Sequence, residues 1–282
     1  MTARRGFLAG LLATASAAAL GEAGAAPAAP SRAPAAGVED PAAFNRHYRR
    51  IRYAPGGELL FWWMRGRRYG LVDNQLIPFF DMHVGSMHRC RDLDADRYEV
   101  ASASAIYFTD IESGELIEDW NNPVTGSVVR FNYAAPRPGR SEYSYRDGTL
   151  ESAPMVGVRQ EERHSHSPLR VVGDEAWFTE ESAIVARFEG APRPIRVHDT
   201  STYGSPVAAL LDPQARFVPA VEHFNDYNDW SPRFRMGDRP GSSVARCSGR
   251  KVATLGEMPA DFLRLARRVH PEAFADPART LG

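Results

Sequence analysis

YFTDIESGELIEDWNNPVTGSVVRFNY, residues Tyr107 to Tyr133, holds short β-branched and aromatic pieces separated by two turns that end in glycine. In the first turn, Asp110 to Gly114, a carboxylate can accept from backbone amides two residues on, and Gly114 takes a positive φ without steric cost. In the second, Asn121 to Gly126, Asn-Pro presets the entry and Gly126 the exit. The flanking pieces, Ile106 to Thr109, Glu115 to Trp120 and Ser127 to Tyr133, are too short for helices and read as an antiparallel meander.

Outward from this stretch the strand signals continue. Tyr98 to Thr109 carries small residues from Ala101 to Ala105, where a bulky group must approach: a packed aromatic or a cavity. Glu58 to Met64 reads as a strand broken by Arg65-Gly66-Arg67-Arg68, with a second strand resuming at Tyr69 and Leu71. Trp62 and Trp63 must then point to opposite faces. Downstream, Tyr143 and Tyr145 share one strand face, Met155 to His166 is a strand of rising polarity, and Gly173-Asp174 turns a hairpin within Leu169 to Phe188. Val197 and Asp199 alternate with Arg196 and His198. Val221, His223, Asn225 and Tyr227 share one face of a further strand, with Glu222, Phe224 and Asp226 on the other. Ser243 to Cys247 and Lys251 to Ala253 flank Gly249 as a last hairpin. Helical signals are confined to the ends: Asp40-Pro41 with Phe44, Tyr48 and Ile51 at the start, and Pro259 to Val269 at the close. The expected fold is all-β and mostly antiparallel, a curled sheet or barrel with short N- and C-terminal helices.

Residues 1–25 read as a twin-arginine signal peptide: Arg4-Arg5 with Phe7-Leu8, an apolar run too short to span a bilayer, and the small-x-small pattern Ala23-Gly24-Ala25. Residues 26–37 form a Pro/Ala linker, and residues 38–282 are expected to be a single β-rich domain with no membrane span in the mature chain. The predicted address is periplasmic. A net charge of -1 leaves no electrostatic footprint for nucleic acid. Cys90 and Cys247 could close a disulfide in an oxidising compartment or remain as two buried thiols; neither has a second ligand at the spacing a metal pair needs.

No nucleophile elbow, phosphate-cradling glycine loop, dinucleotide fingerprint or zincin helix is present, so no nucleotide cofactor is expected. Glu162, His164 and His166 lie two apart on one strand face, the chain's best local metal signature, which with His198 or His223 could hold Zn or Fe. That makes a metal-dependent enzyme one alternative. His83, His88 and His223, each beside Phe, Met or Tyr, are candidates for acid–base catalysis, because desolvation can tune an imidazole toward proton transfer at neutral pH. Trp62, Tyr107, Trp120, Asn122 and Trp230 are candidate ligand contacts.

The pieces Tyr107-Phe108-Thr109-Asp110, Trp120-Asn121-Asn122-Pro123-Val124-Thr125-Gly126 and Met236-Gly237-Asp238-Arg239-Pro240-Gly241 occur in an order that resembles the exported family catalogued as domain of unknown function eighteen thirty-eight. The likeness extends from about Pro55 to Pro277. It implies export but brings no reaction and no catalytic residue. The expected function is thus an exported protein with a pocket for a small, largely apolar or aromatic molecule, acting by acid–base chemistry as a lyase, isomerase or hydrolase, or else as a non-catalytic binding module.

Overall fold

The computed structural model describes residues 37–146, 150–152, 158–188 and 193–282. The expected signal peptide and all but the last residue of the linker lie outside them, as does the start of the strand expected from Met155. In chain order the elements are α1 (Phe44–Arg52), β1 (Leu60–Val72), β2 (Gln75–Asp92), β3 (Arg97–Thr109), β4 (Asp119–Asn121), β5 (Val128–Arg130), β6 (Gly139–Ser144), β7 (Leu150–Ser152), β8 (Val158–His166), β9 (Arg170–Val172), β10 (Glu175–Phe188), β11 (Ile195–Pro206), α2 (Val207–Leu211), β12 (Val221–Asn228), β13 (Ser242–Val252), α3 (Ala260–Val269), α4 (Pro271–Ala275) and α5 (Pro277–Leu281). The main sheet runs β7-β6-β3-β2-β1-β13-β12-β11-β10-β8, with β9 also on β10. Its pairings are antiparallel, and the whole is a mostly β, curled half-barrel.

The curl shows in contacts between strands that are not neighbours. The rings of Trp62 on β1 and Tyr203 on β11 lie 5.7 Å apart although β13 and β12 separate them. Arg68 of β1 reaches Asp226 of β12 at 2.7 Å across β13. Such reach is possible only over the inside of a bend. The β1–β13 pair permits it with glycine on the inner face of both strands. A Cβ on Gly66 would stand 1.9 Å from the carbonyl oxygen of Arg246, and one on Gly249 would stand 1.7 Å from that of Trp63. No side chain fits where two backbones approach so closely.

One end of the inner face is filled by α1. An Asp40 cap, whose carboxylate accepts from the Ala42 amide at 2.9 Å, starts a single 3₁₀ turn that leads into the helix. Phe44, Tyr48 and Ile51 then bury against Leu60, Trp62, Phe178 and Tyr203. The helix is fastened at its C-terminal end by Lys251 of β13, whose Nζ donates to the carbonyls of Arg50 and Ile51, both at 2.7 Å, and of Tyr53 at 3.3 Å. These are carbonyls that a helix end leaves without partners. The other end is filled by β4, β5 and the 230–236 segment, with Trp120, Phe131, Trp230, Phe234 and Met236 packed on Phe80, Met82 and Ala245.

On the outer face α3 to α5 cover β1 to β3. Here the alternating small residues of β3 find their reason: Ala101, Ala103 and Ala105 make room for Tyr107, Phe262 and Phe274, while Ser102 and Ser104 turn inward. Both readings of that stretch, packed aromatic and cavity, therefore hold, one on each face.

Several expectations change. Arg65 to Arg68 is not a turn, because β1 runs through it: Arg65 and Arg67 point outward to Asp261 and Asp81 at 2.9 and 2.6 Å, and Arg68 points inward to Asp226. The turn comes later, at Asp73-Asn74, where two left-handed residues suit a two-residue hairpin. Gly249 likewise sits inside the continuous strand β13 rather than in a hairpin. Of the expected meander, Ile106 to Thr109 is the end of a 13-residue strand that meets the second piece in a single antiparallel bridge, Thr109 to Leu116, while β4 and β5 pair as a separate two-stranded sheet. Cys90 and Cys247 are not bonded; both are buried free thiols, in different packed clusters, and burial pushes each up to about 12.

Replacing Gly249 by alanine should cost roughly 3 kcal/mol or more, since the added methyl meets a backbone carbonyl that only uncurling could move. Urea unfolding of the variant reads this as a lowered midpoint; a midpoint equal to that of the parent would show that the bend does not depend on the glycine.

Candidate functional site

Between the filled ends, the inner face keeps a cavity of about 430 Å³. Register explains its lining. Trp62 pairs with Ser86, which pairs with Ser104; Leu60 pairs with His88, which pairs with Ser102. Across the curl stand Tyr203 and Glu222, cross-strand partners on β11 and β12. The walls are thus an indole, a phenol, Met64 and Val84, and the polar groups are hydroxyls, an imidazole, one carboxyl and the guanidiniums of Arg52 and Arg137. A concave chamber that sets apolar walls beside convergent polar groups can take a small molecule of mixed polarity.

Glu222 is buried, and burial raises its carboxyl above the ordinary range; Arg52 and the hydroxyls of Ser201 and Tyr203 act the other way. Both hydroxyls donate to the same oxygen, Oε1, at 2.8 and 2.9 Å. No donor among the described residues reaches Oε2. Arg52 is itself neutralised by Glu180 and lies over the ring of Tyr203, 4.7 Å from its centre. Tyr48 completes this junction, donating to Glu180 at 3.0 Å.

Farther along the inner face a second polar row crosses the sheet. Asp226 accepts from Arg68 and, at 2.6 Å, from the Ala245 amide. Asp199 is its cross-strand neighbour on β11, and Ser182 stands beside Asp199 on β10. Burial, and then the Asp226 charge, raise Asp199 to about 7. A second cavity, about 490 Å³, opens near this end, lined by Glu162, Ile184, Val197 and Asn228 among others.

The residues singled out in the sequence are dispersed over this frame. His88 lines the 430 Å³ cavity, with its Nε2 2.8 Å from Ser86 Oγ and its Nδ1 shut from solvent with no partner among the described residues. Burial lowers it to about 3, with Arg52 and Lys251 adding to the effect, so the ring is neutral at physiological pH and a weak base. His83 lies on the outer face beneath α3, 3.1 Å from Thr109 Oγ1 and 3.6 Å from Asp261. His223 is also on the outer face, 3.0 Å from Ser248 Oγ and stacked on Trp177. The three do not converge.

Among the expected ligand contacts, Trp62 lines the cavity. Tyr107 is buried under α3, bonded at 2.9 Å to His270. Trp120 and Trp230 belong to the aromatic cluster that fills the far end, and Trp230 donates to the Arg239 carbonyl at 3.1 Å. Asn122 is buried and caps its own turn: Oδ1 accepts from the Val124 amide at 2.8 Å, and Nδ2 donates to the Phe234 carbonyl at 2.7 Å and approaches Met236 Sδ at 3.2 Å. Two of the motif-bearing segments, more than a hundred residues apart, thus meet in one packed corner.

Glu162, His164 and His166 share the inner face, as their spacing requires, but His164 is paired with Glu162 at 2.7 Å and His166 stacks on Phe44 with ring centres 4.0 Å apart. His198 and His223 face the opposite side of the sheet. Among the described residues no three His, Cys, Asp or Glu side chains stand so as to hold a metal ion. The carboxyls Glu222 and Asp199 went unselected because a strand of mixed polarity does not say which face is enclosed; the alternation placing Glu222 opposite His223 is the one signal that pointed to it.

No family model, curated protein or solved structure matches the chain.

Asp199 supplies a pH test. A carboxyl raised in the folded state favours folding while protonated, and that contribution is lost as pH rises from the ordinary carboxylate range through about 7. Asp199→Asn should therefore melt higher than the parent at pH 8 and level with it near pH 4. Equal melting temperatures at both values would mean that Asp199 titrates as an ordinary surface carboxylate.

Proposed function

We propose that the protein binds one small, largely apolar or aromatic molecule in the 430 Å³ cavity and transfers a proton to it from Glu222. The observation that carries this reading is a buried carboxyl on the cavity wall, with one oxygen held by two hydroxyls and the other met by no donor among the described residues. Burial favours the protonated acid, which can donate to a carbonyl, hydroxyl or alkene of the bound molecule. The carboxylate left behind meets the Ser201 and Tyr203 donors and the charge of Arg52, all in place beforehand, so its formation needs little reorganisation. His88, neutral and hydrogen-bonded to Ser86, serves as a polar contact for the ligand rather than as the base.

We further propose an exported, periplasmic location by the twin-arginine route, supported by Arg4-Arg5 and the short apolar run that follows. Among the described residues no helix is long and apolar enough to cross a membrane. Membership of the exported family that the motifs resemble is part of the same proposal.

The test is turnover and binding against a panel of small aromatic and terpenoid compounds, followed with the parent and with Glu222→Gln. The amide keeps the shape and removes the proton, so turnover should fall by about 100-fold or more while affinity changes little. The parent's rate should also decline as pH rises through the raised Glu222 value, because the acid is the active form. Full turnover by Glu222→Gln would remove Glu222 from the reaction; binding by the parent without any turnover would leave a binding module.

A further inference from the structure

The charges around the cavity are not balanced, and the imbalance bears on what enters. Arg52 is matched by Glu180. Lys251 spends its donors on the α1 carbonyls. Burial keeps His88 neutral and moves Glu222 toward its neutral form. Arg137 remains. It lies in the segment between β5 and β6, is exposed, and lines the cavity together with Gly139, the first residue of β6. Nearby Arg140 is held by Glu99 at 2.7 Å, whereas Arg137 makes no hydrogen bond or ion pair with any described residue. A guanidinium presents a planar fork of donors suited to a carboxylate, and one at the rim of a cavity offers that fork to the ligand.

Resting on the reading that this cavity holds a ligand, we infer that the ligand is an amphiphilic organic acid: an apolar or aromatic body against Trp62, Met64 and Val84, an oxygen toward Glu222, and a terminal oxyanion at the rim held by Arg137. The serine hydroxyls of Ser86, Ser102 and Ser104 add donors without adding charge. A cationic ligand would meet Arg137 without a balancing carboxylate, and a neutral one would leave it unused. Arg137 then determines specificity, while the proton transfer stays with Glu222.

Two fluorescent probes that share a body and differ in charge test this: anilinonaphthalene sulfonate and the uncharged phenylnaphthylamine. Each is titrated into the parent protein, Arg137→Gln and Trp62→Ala. The parent should bind both, with the sulfonate tighter and its affinity weakened by salt. Arg137→Gln should bind the sulfonate at least about tenfold more weakly and phenylnaphthylamine as before, since a charge-assisted hydrogen bond is lost and nothing else. Trp62→Ala should weaken both, which places the probes in this cavity. If Arg137→Gln leaves sulfonate binding unchanged, or weakens both probes alike, the organic-acid assignment is overturned while the pocket reading stands. If the parent binds neither probe, both are overturned together.

Discussion

Everything on the inner face depends on how closely β1 and β13 approach at Gly66 and Gly249. With a side chain at either position the backbones would have to part, and the sheet would open. With glycine there, the β1–β3 half folds over the β11–β12 half, bringing Trp62 against Tyr203 and Arg68 to Asp226. The charged groups of the interior are tolerable only because that curl supplies partners from strands that are not neighbours. Lys251, the sole lysine, belongs to the same scheme: burial lowers its amine well below the usual value, yet it stays buried because three carbonyls at the end of α1 receive it.

Strand alternation then assigns two tasks to one segment. In β3, alanines outward accept the helical cover and serines inward line the chamber; in β12, His223 outward is solvated while Glu222 inward is enclosed. The chamber is shaped by the closing of both ends, by α1 on one side and by the aromatic cluster around Trp120 and Phe234 on the other. The Asn121 to Gly126 turn contributes through that closure. Its Asn122 side chain is used up in holding the turn and the 234–236 backbone together.

The β class, the terminal helices and the opposed faces of Trp62 and Trp63 were legible in the sequence because they rest on local period and punctuation. Strand continuity through Arg65 to Arg68 and through Gly249 was not, since the acceptors that make those residues tolerable, Asp226 and Asp81 among them, are supplied by other strands. The site was half legible. Trp62 and His88 were marked and do line the cavity, but a histidine that looks tunable in sequence is here desolvated to about 3, whereas burial raises the carboxyl two strands away from β1. Which member of an alternating strand is enclosed is decided by long-range curl, and no local pattern encodes it.

The chemistry proposed for this protein rests on one protonation state. Infrared difference spectroscopy between the parent and Glu222→Gln, both carrying Asp199→Asn to silence the other raised carboxyl, measures it at a pH just above the ordinary carboxylate range. The account predicts a protonated-carboxyl stretch in the parent that the Glu222→Gln protein lacks. Identical carboxyl regions in the two spectra, with only a carboxylate band lost, would show Glu222 ionised and contradict the account.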